Sequence, residues 1–276
     1  MGEALSRHLV SLGWTVALAD IQENASLLAS LSPHARFYPT DVASYASQAA
    51  TFAAVWRDHG RLDALCANAG IVDRGSPYLF PRRGAAITDV PPAPDLTCTD
   101  VDWKGVVYGT QLCVHFMRHN APPGGAIVAT ASIAAVHPHE SYPEYNGAKA
   151  AVLQWVRGTA RLLMQKEHIR INCVLPGIVP TPIIPAEMIA AVQPEYLTPI
   201  RTITEAYVRL LEDGSLSGEA IEGSAEKHVF VARPVLGNGA ATKRAVTVWE
   251  PLFEMFHGEV SGLEDAISGE SMLKKA

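Results

Sequence analysis

The sequence predicts an α/β fold with a doubly wound parallel sheet, and three observations support this. Short apolar runs such as residues 14–19 are typical of strands that are buried on both faces. Amphipathic or alanine-rich segments of helical length separate these runs. The alternation continues to about residue 231. A strand, a helix and a second strand in succession favour parallel pairing, with helices covering both faces of the sheet.

The elements follow from the same patterns in chain order. Leu5 and Leu9 fall on one helical face within residues 1–10, and Gly13 ends this helix. The apolar strand at 14–19 follows and ends at Asp20. Later helices are predicted at 22–31, 43–59, 97–119, 144–166 and 202–212, and later strands at 36–39, 62–67, 125–131, 169–174 and 227–231.

Two long connections interrupt the alternation, at 71–95 and 176–200, and both are rich in proline. Because no repeat or low-complexity linker divides the chain, we predict a single domain over residues 1–276. Within it, 177–212 is a substrate-loop region and 232–276 a C-terminal tail. An apolar helix around 246–256 in the tail suits either a lid or a dimer interface.

Composition excludes several classes of function. The net charge of −6 disfavours a nucleic acid partner, which needs a basic face. The four cysteines show no CxxC spacing and three lie in apolar stretches, which favours free thiols in a reducing compartment. No apolar stretch reaches membrane-spanning length and no signal peptide is recognisable. We therefore expect a cytoplasmic protein that does not act at a membrane.

The strongest chemical pattern is the pair Tyr145 and Lys149, four residues apart near the start of a helix. This spacing places both side chains on one helical face. A nearby ammonium favours the phenolate, so the pair suits proton exchange with an alcohol. Ser132, thirteen residues before Tyr145, follows a strand and can donate a hydrogen bond to the reacting oxygen. A chance surface pair is the alternative for an isolated Tyr-x-x-x-Lys motif.

Further motifs in the same order make the chain resemble the short-chain dehydrogenase/reductase family from residue 2 to about 231, with a Rossmann-like sheet. Ser132, Tyr145 and Lys149 match its catalytic serine, tyrosine and lysine. Its cofactor-contacting positions correspond to Gly2, Asp20, Ile21, Asp41, Val42, Asn68, Ala69, Gly70, Tyr145, Lys149, Pro176, Gly177, Ile178 and Thr181. Within the family the chain is most similar to the hydroxyprostaglandin dehydrogenase type, on the segments GTQLCVHFM and LEDGSLSGEAIEGSAEKHVF.

Asp20 predicts NAD as the cofactor. A carboxylate at the end of this strand accepts hydrogen bonds from a ribose diol and repels a 2′-phosphate. Ile21 and Gln22 supply no compensating cation. The alternative is an aspartate that only caps the next helix.

The sequence departs from the family at its first strand and its glycine-rich turn. Gly2 corresponds to the last glycine of that turn, and the strand before it is absent. Since that strand is central in such sheets, we expect two unpaired inner edges and an open slot in the core. A misassigned start and a genuinely shorter protein are both open explanations.

The second departure is Asp102, which stands where the family commonly has an asparagine that helps to hold a water near the lysine. An ionised aspartate accepts hydrogen bonds but donates none. It either keeps Lys149 charged, holds the water differently, or sits in a local hydrogen bond. We count it among the candidate catalytic residues.

The substrate side is less specific. The aliphatic residues of the 177–200 loop indicate an apolar substrate, with Ile183 as one contact. His137 and Tyr142 lie where they would line the pocket, whereas a metal at the histidines is disfavoured by the intervening proline. Arg82 or Arg83 would either meet a substrate carboxylate or remain solvated.

The predicted function is NAD-dependent oxidation of a secondary alcohol on an apolar substrate to a ketone. The alternatives are an NADPH-dependent carbonyl reductase of a biosynthetic pathway and a non-catalytic scaffold or partner subunit. The resemblance also implies a homodimer or homotetramer formed through the helices at 97–119 and 144–166.

Overall fold

The computed structural model describes residues 1–269. The chain divides into two compact units, Met1–Val231 and Ala232–Ala276, and the predicted C-terminal tail coincides with the second. Residues 270–276 of that tail lie outside the described residues. The two units are described separately below.

The first unit alternates strands and helices as the sequence predicts. Its strands are β1 Val16–Asp20, β2 Ala35–Pro39, β3 Ala64–Ala67, β4 Gly125–Thr130, β5 Ile169–Pro176, β6 Ala220–Ser224 and β7 Lys227–Phe230. Its α-helices are α1 Gly2–Ser11, α2 Ala25–Leu31, α3 Tyr45–His59, α4 Thr97–Thr99, α5 Gly105–Met117, α6 Pro143–Glu167, α7 Ala186–Ala190 and α8 Ile200–Glu212. A π-helical turn, Asp100–Lys104, joins α4 to α5 and interrupts the helix predicted at 97–119.

The strands form two sheets. β1 and β2 pair in parallel, with Val16 opposite Ala35. The second sheet has the order β3-β4-β5-β6-β7, parallel except for β7, which pairs antiparallel with β6. This parallel sheet, covered by helices, confirms the predicted α/β fold class.

A slot separates the two sheets. Within residues 1–269, β1 pairs with β2 alone and β3 pairs with β4 alone. A cavity of about 890 Å³ lies between β1 and β3 and is also lined by α1, α3 and α5. Its wall is apolar along Leu5, Leu9 and Leu65, and its lining also includes Asp20 and Asn68. The predicted unpaired edges and open slot are therefore confirmed.

The core lies on both faces of β4 and β5. Ile127 and Ile171 belong to one apolar cluster, together with Val152 of α6. Val128 and Val174 point to the opposite face and cluster with Tyr207 of α8. Because both faces are buried, most residues of these two strands are apolar, and the packing on both sides fixes the position of their carboxyl ends.

The sequence prediction missed β6. The strand predicted at 227–231 is β7, the antiparallel partner of β6, and not the last parallel strand. Glu222, Gly223 and Ser224 are weak strand formers, which hid the element. Gly223 is required by packing, because a Cβ there would lie 2.7 Å from Cδ1 of Ile203.

The second unit contains α9, Gly239–Val246, and α10, Glu250–His257. The helix predicted around 246–256 therefore begins at Glu250, whose carboxylate accepts a hydrogen bond from the backbone N–H of Ser261 at 2.8 Å. None of the helices within residues 1–269 has the length and hydropathy needed to cross a membrane. All four cysteines of the chain are free thiols.

Candidate active site

Lys149 is the centre of the site and is almost fully buried, with 2% of its surface exposed. Its position on α6 places it between Ala148 and Val152, on the face that packs against the sheet. Its Nζ donates a hydrogen bond to the carbonyl oxygen of Thr130 at 2.8 Å and lies 3.1 Å from Oδ2 of Asp102. A buried ammonium needs such partners, because desolvation would otherwise favour its neutral form.

Tyr145 lies one helical turn before Lys149. The Nζ of Lys149 is 5.5 Å from the centroid of the Tyr145 ring. The predicted stacking of the two side chains on one face of α6 is therefore present, with the phenol half-buried. Tyr142 immediately precedes α6, and its ring centroid lies 6.4 Å from that of Tyr145.

Ser132 lies two residues beyond the end of β4 and is 7% exposed. It begins the short 3₁₀ turn Ile133–Ala135, and its Oγ accepts a hydrogen bond from the N–H of Ala134 at 3.1 Å. The end of β4 thus supplies both Ser132 and the Thr130 carbonyl that holds Lys149. The hydroxyl of Thr130 in turn hydrogen-bonds the hydroxyl of Tyr207 on α8. Three of the four predicted catalytic residues, Ser132, Tyr145 and Lys149, therefore lie beside the carboxyl end of β4.

Asp102 lies in the π-helical turn and is fully buried. Its Oδ1 accepts a hydrogen bond from the N–H of Ile71 at 2.8 Å, and its Oδ2 faces Lys149. Burial raises the pKa of Asp102 above its ordinary value, whereas the charge of Lys149 and the Ile71 hydrogen bond oppose that rise. Of the three roles left open by the sequence, the structure shows both the pairing with Lys149 and a hydrogen bond to a backbone N–H.

Asp73 is a site residue that the sequence analysis missed. Its Oδ2 accepts the N–H of Glu144 at 2.9 Å and its Oδ1 accepts the N–H of Tyr145 at 2.8 Å. It thereby caps the first turn of the helix that carries the catalytic pair. Asp73 lies 71 residues before Glu144 in the chain, so no local pattern connects them.

Asp73, Cys98 and Glu144 form a cluster whose ligand atoms lie within 4.8 Å of one another. Each group has a structural partner: Asp73 caps α6, Glu144 accepts the N–H of Thr99 at 2.7 Å, and the Cys98 thiol donates to the carbonyl of Ile71 at 3.3 Å. Burial, with smaller contributions from neighbouring carboxylates, raises the pKa of Cys98 to about 12. In this structure the thiol is a buried hydrogen-bond donor.

The predicted adenosine-side residues lie at the carboxyl ends of β1, β2 and β3. Asp20 ends β1 in an exposed position, and its Oδ1 accepts the N–H of Gln22 at 3.1 Å, while Ile21 is 71% exposed. A Cβ on Gly2 would lie 3.1 Å from Nδ2 of Asn68, so α1 begins directly against the turn after β3. Gly2, Asp20, Asn68 and Ala69 all line the slot.

Three more cofactor positions follow β2 and β3, and two of them are held by local hydrogen bonds. Asp41 and Val42 follow β2. The Asp41 carboxylate accepts a hydrogen bond from the N–H of Ala43 at 2.9 Å, and the Val42 carbonyl accepts one from Nε2 of Gln48 at 2.7 Å. Gly70 follows β3, where a Cβ would lie 3.3 Å from the Nζ of Lys149.

The predicted nicotinamide-side segment continues from β5. Pro176 ends that strand, and the N–H of Gly177 donates to the carbonyl of Gly223 at 2.8 Å. The carbonyl of Ile178 accepts the N–H of Thr198 at 2.7 Å, and Thr181 is half-buried in the turn that follows. Since β4 and β5 are parallel neighbours, this segment leaves the sheet at the edge that carries Ser132.

The predicted substrate residues are only partly brought to the site. Tyr142 lies beside Tyr145, but His137 is exposed after the 3₁₀ turn and Ile183 is 37% exposed. Arg82 pairs with Asp89 at 2.8 Å, and the guanidinium of Arg83 lies 4.7 Å from the ring centroid of Phe80. Both arginines therefore stabilise their own loop in this structure.

Comparison with known proteins agrees with this geometry. A family model described as "Enoyl-(Acyl carrier protein) reductase" matches residues 1–202. Short-chain dehydrogenase/reductase prx6 of Penicillium rubens is 54% identical over 271 residues, covering 97% of this chain and 91% of that protein. The mouse 15-hydroxyprostaglandin dehydrogenase [NAD(+)] is more distant, at 26% identity over 83% of this chain and 87% of its own.

A solved structure has the same fold. The 3-ketoacyl-(acyl-carrier-protein) reductase from Brucella melitensis, complexed with NADH, superposes with a TM-score of 0.69 at 20% sequence identity. The match covers 81% of this chain and 92% of the reductase. The fold, the family-model match and the fungal relative agree, and the chain belongs to the short-chain dehydrogenase/reductase family of oxidoreductases.

Proposed function

We propose that this oxidoreductase uses NAD to oxidise a secondary alcohol on an apolar substrate to a ketone. The observation that carries the proposal is the assembly of Ser132, Tyr145 and Lys149 around the end of β4, with the Lys149 ammonium 5.5 Å from the Tyr145 ring. A phenol beside a buried ammonium is suited to general acid–base catalysis on an alcohol oxygen.

The chain's own residues perform the proton chemistry. Ser132 donates a hydrogen bond to the alcohol oxygen and fixes its position. The phenolate of Tyr145 accepts the hydroxyl proton while the carbinol carbon loses a hydride, and the C–O single bond becomes the carbonyl. NAD supplies the hydride acceptor when bound. Lys149 stabilises the phenolate by its charge, and its hydrogen bond to Thr130 keeps the ammonium in place.

On the adenosine-ribose side, the residues available for a dinucleotide fit this group. The Asp20 carboxylate is exposed and uses Oδ1 for Gln22, which leaves Oδ2 for a ribose diol. Its neighbours Ile21 and Gln22 carry no positive charge for a 2′-phosphate. The NAD(+) in the name of the mouse relative and the NADH in the bacterial structure support the same cofactor.

The proposed substrate is apolar because the segment after β5 is apolar. Val179 is buried there, Met188 is half-buried, and Ile183 presents an exposed apolar side chain. A homodimer or homotetramer remains part of the proposal.

Carbonyl reduction with NADPH is the second candidate, because the family model and the solved structure both name reductases. The same serine, tyrosine and lysine would serve it, with Tyr145 donating the proton instead of accepting it. Cofactor preference therefore separates the two candidates.

The first test is thermal unfolding with saturating NAD and, separately, NADP. A ligand at a hundred times its dissociation constant stabilises the native state by about 2.7 kcal/mol, which raises the midpoint by several degrees. We expect a shift with NAD and a smaller one with NADP, and Asp20→Ala should reduce the NAD shift. A larger shift with NADP supports the reductase, and no shift with either rejects both.

The second test is turnover of Tyr145→Phe with a panel of apolar secondary alcohols. We expect the variant to keep the NAD-induced thermal shift but lose alcohol oxidation by roughly a thousandfold. Unchanged turnover would show that Tyr145 is not the general base.

A further inference from the structure

The ion pair between Asp102 and Lys149 is the most buried charge pair of the site. Its two charged atoms are 3.1 Å apart, and the side chains are 0% and 3% exposed respectively. In such surroundings a charge acts on its neighbours far more strongly than in water. The carboxylate therefore affects every proton transfer in which Lys149 takes part.

The pair is held rigidly. Oδ1 of Asp102 is fixed by the N–H of Ile71, and Nζ of Lys149 by the carbonyl of Thr130. Gly70 covers the pair, because a Cβ there would lie 3.0 Å from Oδ2 of Asp102.

We infer that Asp102 is a positioning residue that, as the buried counter-ion of Lys149, sets the pH range in which Tyr145 takes up the substrate proton. The inference rests on the proposed function. Because the carboxylate offsets the ammonium, the phenolate gains less stabilisation than it would beside a neutral amide. Oxidation by this chain therefore requires more alkaline solution than it would with an asparagine at this position.

Other titratable groups surround the pair without replacing this role. The carboxylate of Asp73 and that of Glu144 are each held by backbone N–H groups. Several titratable groups of the described residues face Tyr145 and Lys149 from the neighbouring elements. On the helices these are Cys98 of α4, Asp102 of the π-helical turn and Glu144 of α6. On the loops they are Asp73 after β3, and Tyr142 with the adjoining His139 before α6. All except Asp102 are unchanged in the test below.

The test compares the pH dependence of kcat/KM for alcohol oxidation in the wild type and in Asp102→Asn. The amide removes one negative charge from beside the coupled Tyr145–Lys149 pair, so the first proton of the pair leaves at lower pH whichever residue gives it up. We expect the acidic limb of the profile to move down by about one to two pH units, with the plateau kept or raised.

The matched control is Asp100→Asn, in the same π-helical turn. The side chain of Asp100 is 43% exposed and pairs with Lys104 at 2.6 Å, so the loss of its charge should leave the profile in place. Asp102→Glu keeps the charge and should retain the wild-type limb, which provides a second variant should Asp102→Asn fold poorly.

A measurement independent of turnover completes the test. Ultraviolet difference titration, with Tyr145→Phe as the reference in each background, follows ionisation of the Tyr145 phenol directly. We expect the Asp102→Asn midpoint to move to lower pH in parallel with the kinetic limb. A titration midpoint that stays in place or moves to higher pH overturns the inference. A roughly hundredfold loss of turnover, with the acidic limb of the kinetic profile unmoved, overturns it as well. A titration shift in protein that oxidises no alcohol would reject the proposed function and, with it, the role in substrate proton uptake, and only the charge coupling between Asp102 and Tyr145 would remain.

Discussion

At the scale of single residues, the site depends on residues from distant parts of the chain that meet beside Tyr145 and Lys149. Thr130 is the last residue of β4. Its carbonyl oxygen accepts a hydrogen bond from the Nζ of Lys149, and its hydroxyl forms a hydrogen bond with the hydroxyl of Tyr207. Asp73 follows β3 and caps the helix that carries Tyr145. The catalytic pair is thus fixed from both of its flanks, which keeps the reacting groups aligned.

Replacing Asp73 by alanine should loosen the first turn of α6. We expect a loss of about 1 kcal/mol in the free energy of unfolding, because two backbone N–H groups lose their acceptor. Alcohol turnover should also fall, since Tyr145 lies in that turn, with kcat affected more than KM. Urea unfolding and steady-state kinetics measure the two effects.

Asp95→Ala is the matched control for Asp73. Its carboxylate accepts a hydrogen bond from the N–H of Thr97 at 2.9 Å, at the start of α4. Among the hydrogen bonds of residues 1–269, none joins Asp95 to Glu144 or Tyr145. It should lose comparable stability and retain turnover. Equal losses of turnover in both variants would mean that Asp73 contributes through stability alone.

At the scale of the elements, helix α6 and the turn before β4 place opposite demands on glycine. Gly158 lies in the exposed part of α6, where an added Cβ meets nothing within 4 Å. Gly124 has a φ of +122°, and a Cβ there would lie 2.5 Å from the carbonyl oxygen of His168. The first position tolerates a side chain and the second does not.

We therefore predict opposite signs for two alanine substitutions. Gly158→Ala should raise the free energy of unfolding by roughly 0.5–1 kcal/mol, because alanine loses less backbone entropy in a helix. Gly124→Ala should lower it by roughly 1–3 kcal/mol through strain and contact with His168. Urea denaturation with unchanged m-values measures both; a stable Gly124→Ala protein would contradict the strained turn.

At the scale of the whole first unit, the slot makes the β1–β2 sheet less stable than the sheet that contains β4 and β5. β4 and β5 are paired on both sides and buried on both faces, whereas β1 and β2 form a two-stranded sheet beside a cavity of about 890 Å³. Two strands with an open edge are only marginally stable without further packing. Local opening should therefore begin at this sheet.

Hydrogen exchange measures this directly. Amides of Val16–Asp20 and of residues 35–38 should exchange at least tenfold faster than those of residues 169–175. Equal protection across all of these strands would show that the slot does not weaken the β1–β2 sheet.

The sequence by itself determined the parallel α/β fold, the order of most elements and the residues Ser132, Tyr145 and Lys149. These depend on hydrophobic periodicity and on spacings of four and thirteen residues, which local geometry converts directly into position. The open slot was predictable too, from the departure of this sequence from the family pattern at its first strand.

Only the tertiary structure decided the rest. The hydrogen bonds of Asp73 to α6 and of Asp102 to Ile71 join residues that are 71 and 31 positions apart, so no local pattern encodes them. The sequence did not predict β6, because its register is set by pairing with β5. Its Gly223 packs directly against Ile203, which is a tertiary contact as well. Partners distant in the chain meet only when the sheet has formed, and for this reason the contacts that tune the catalytic pair appear in the fold and not in the motif.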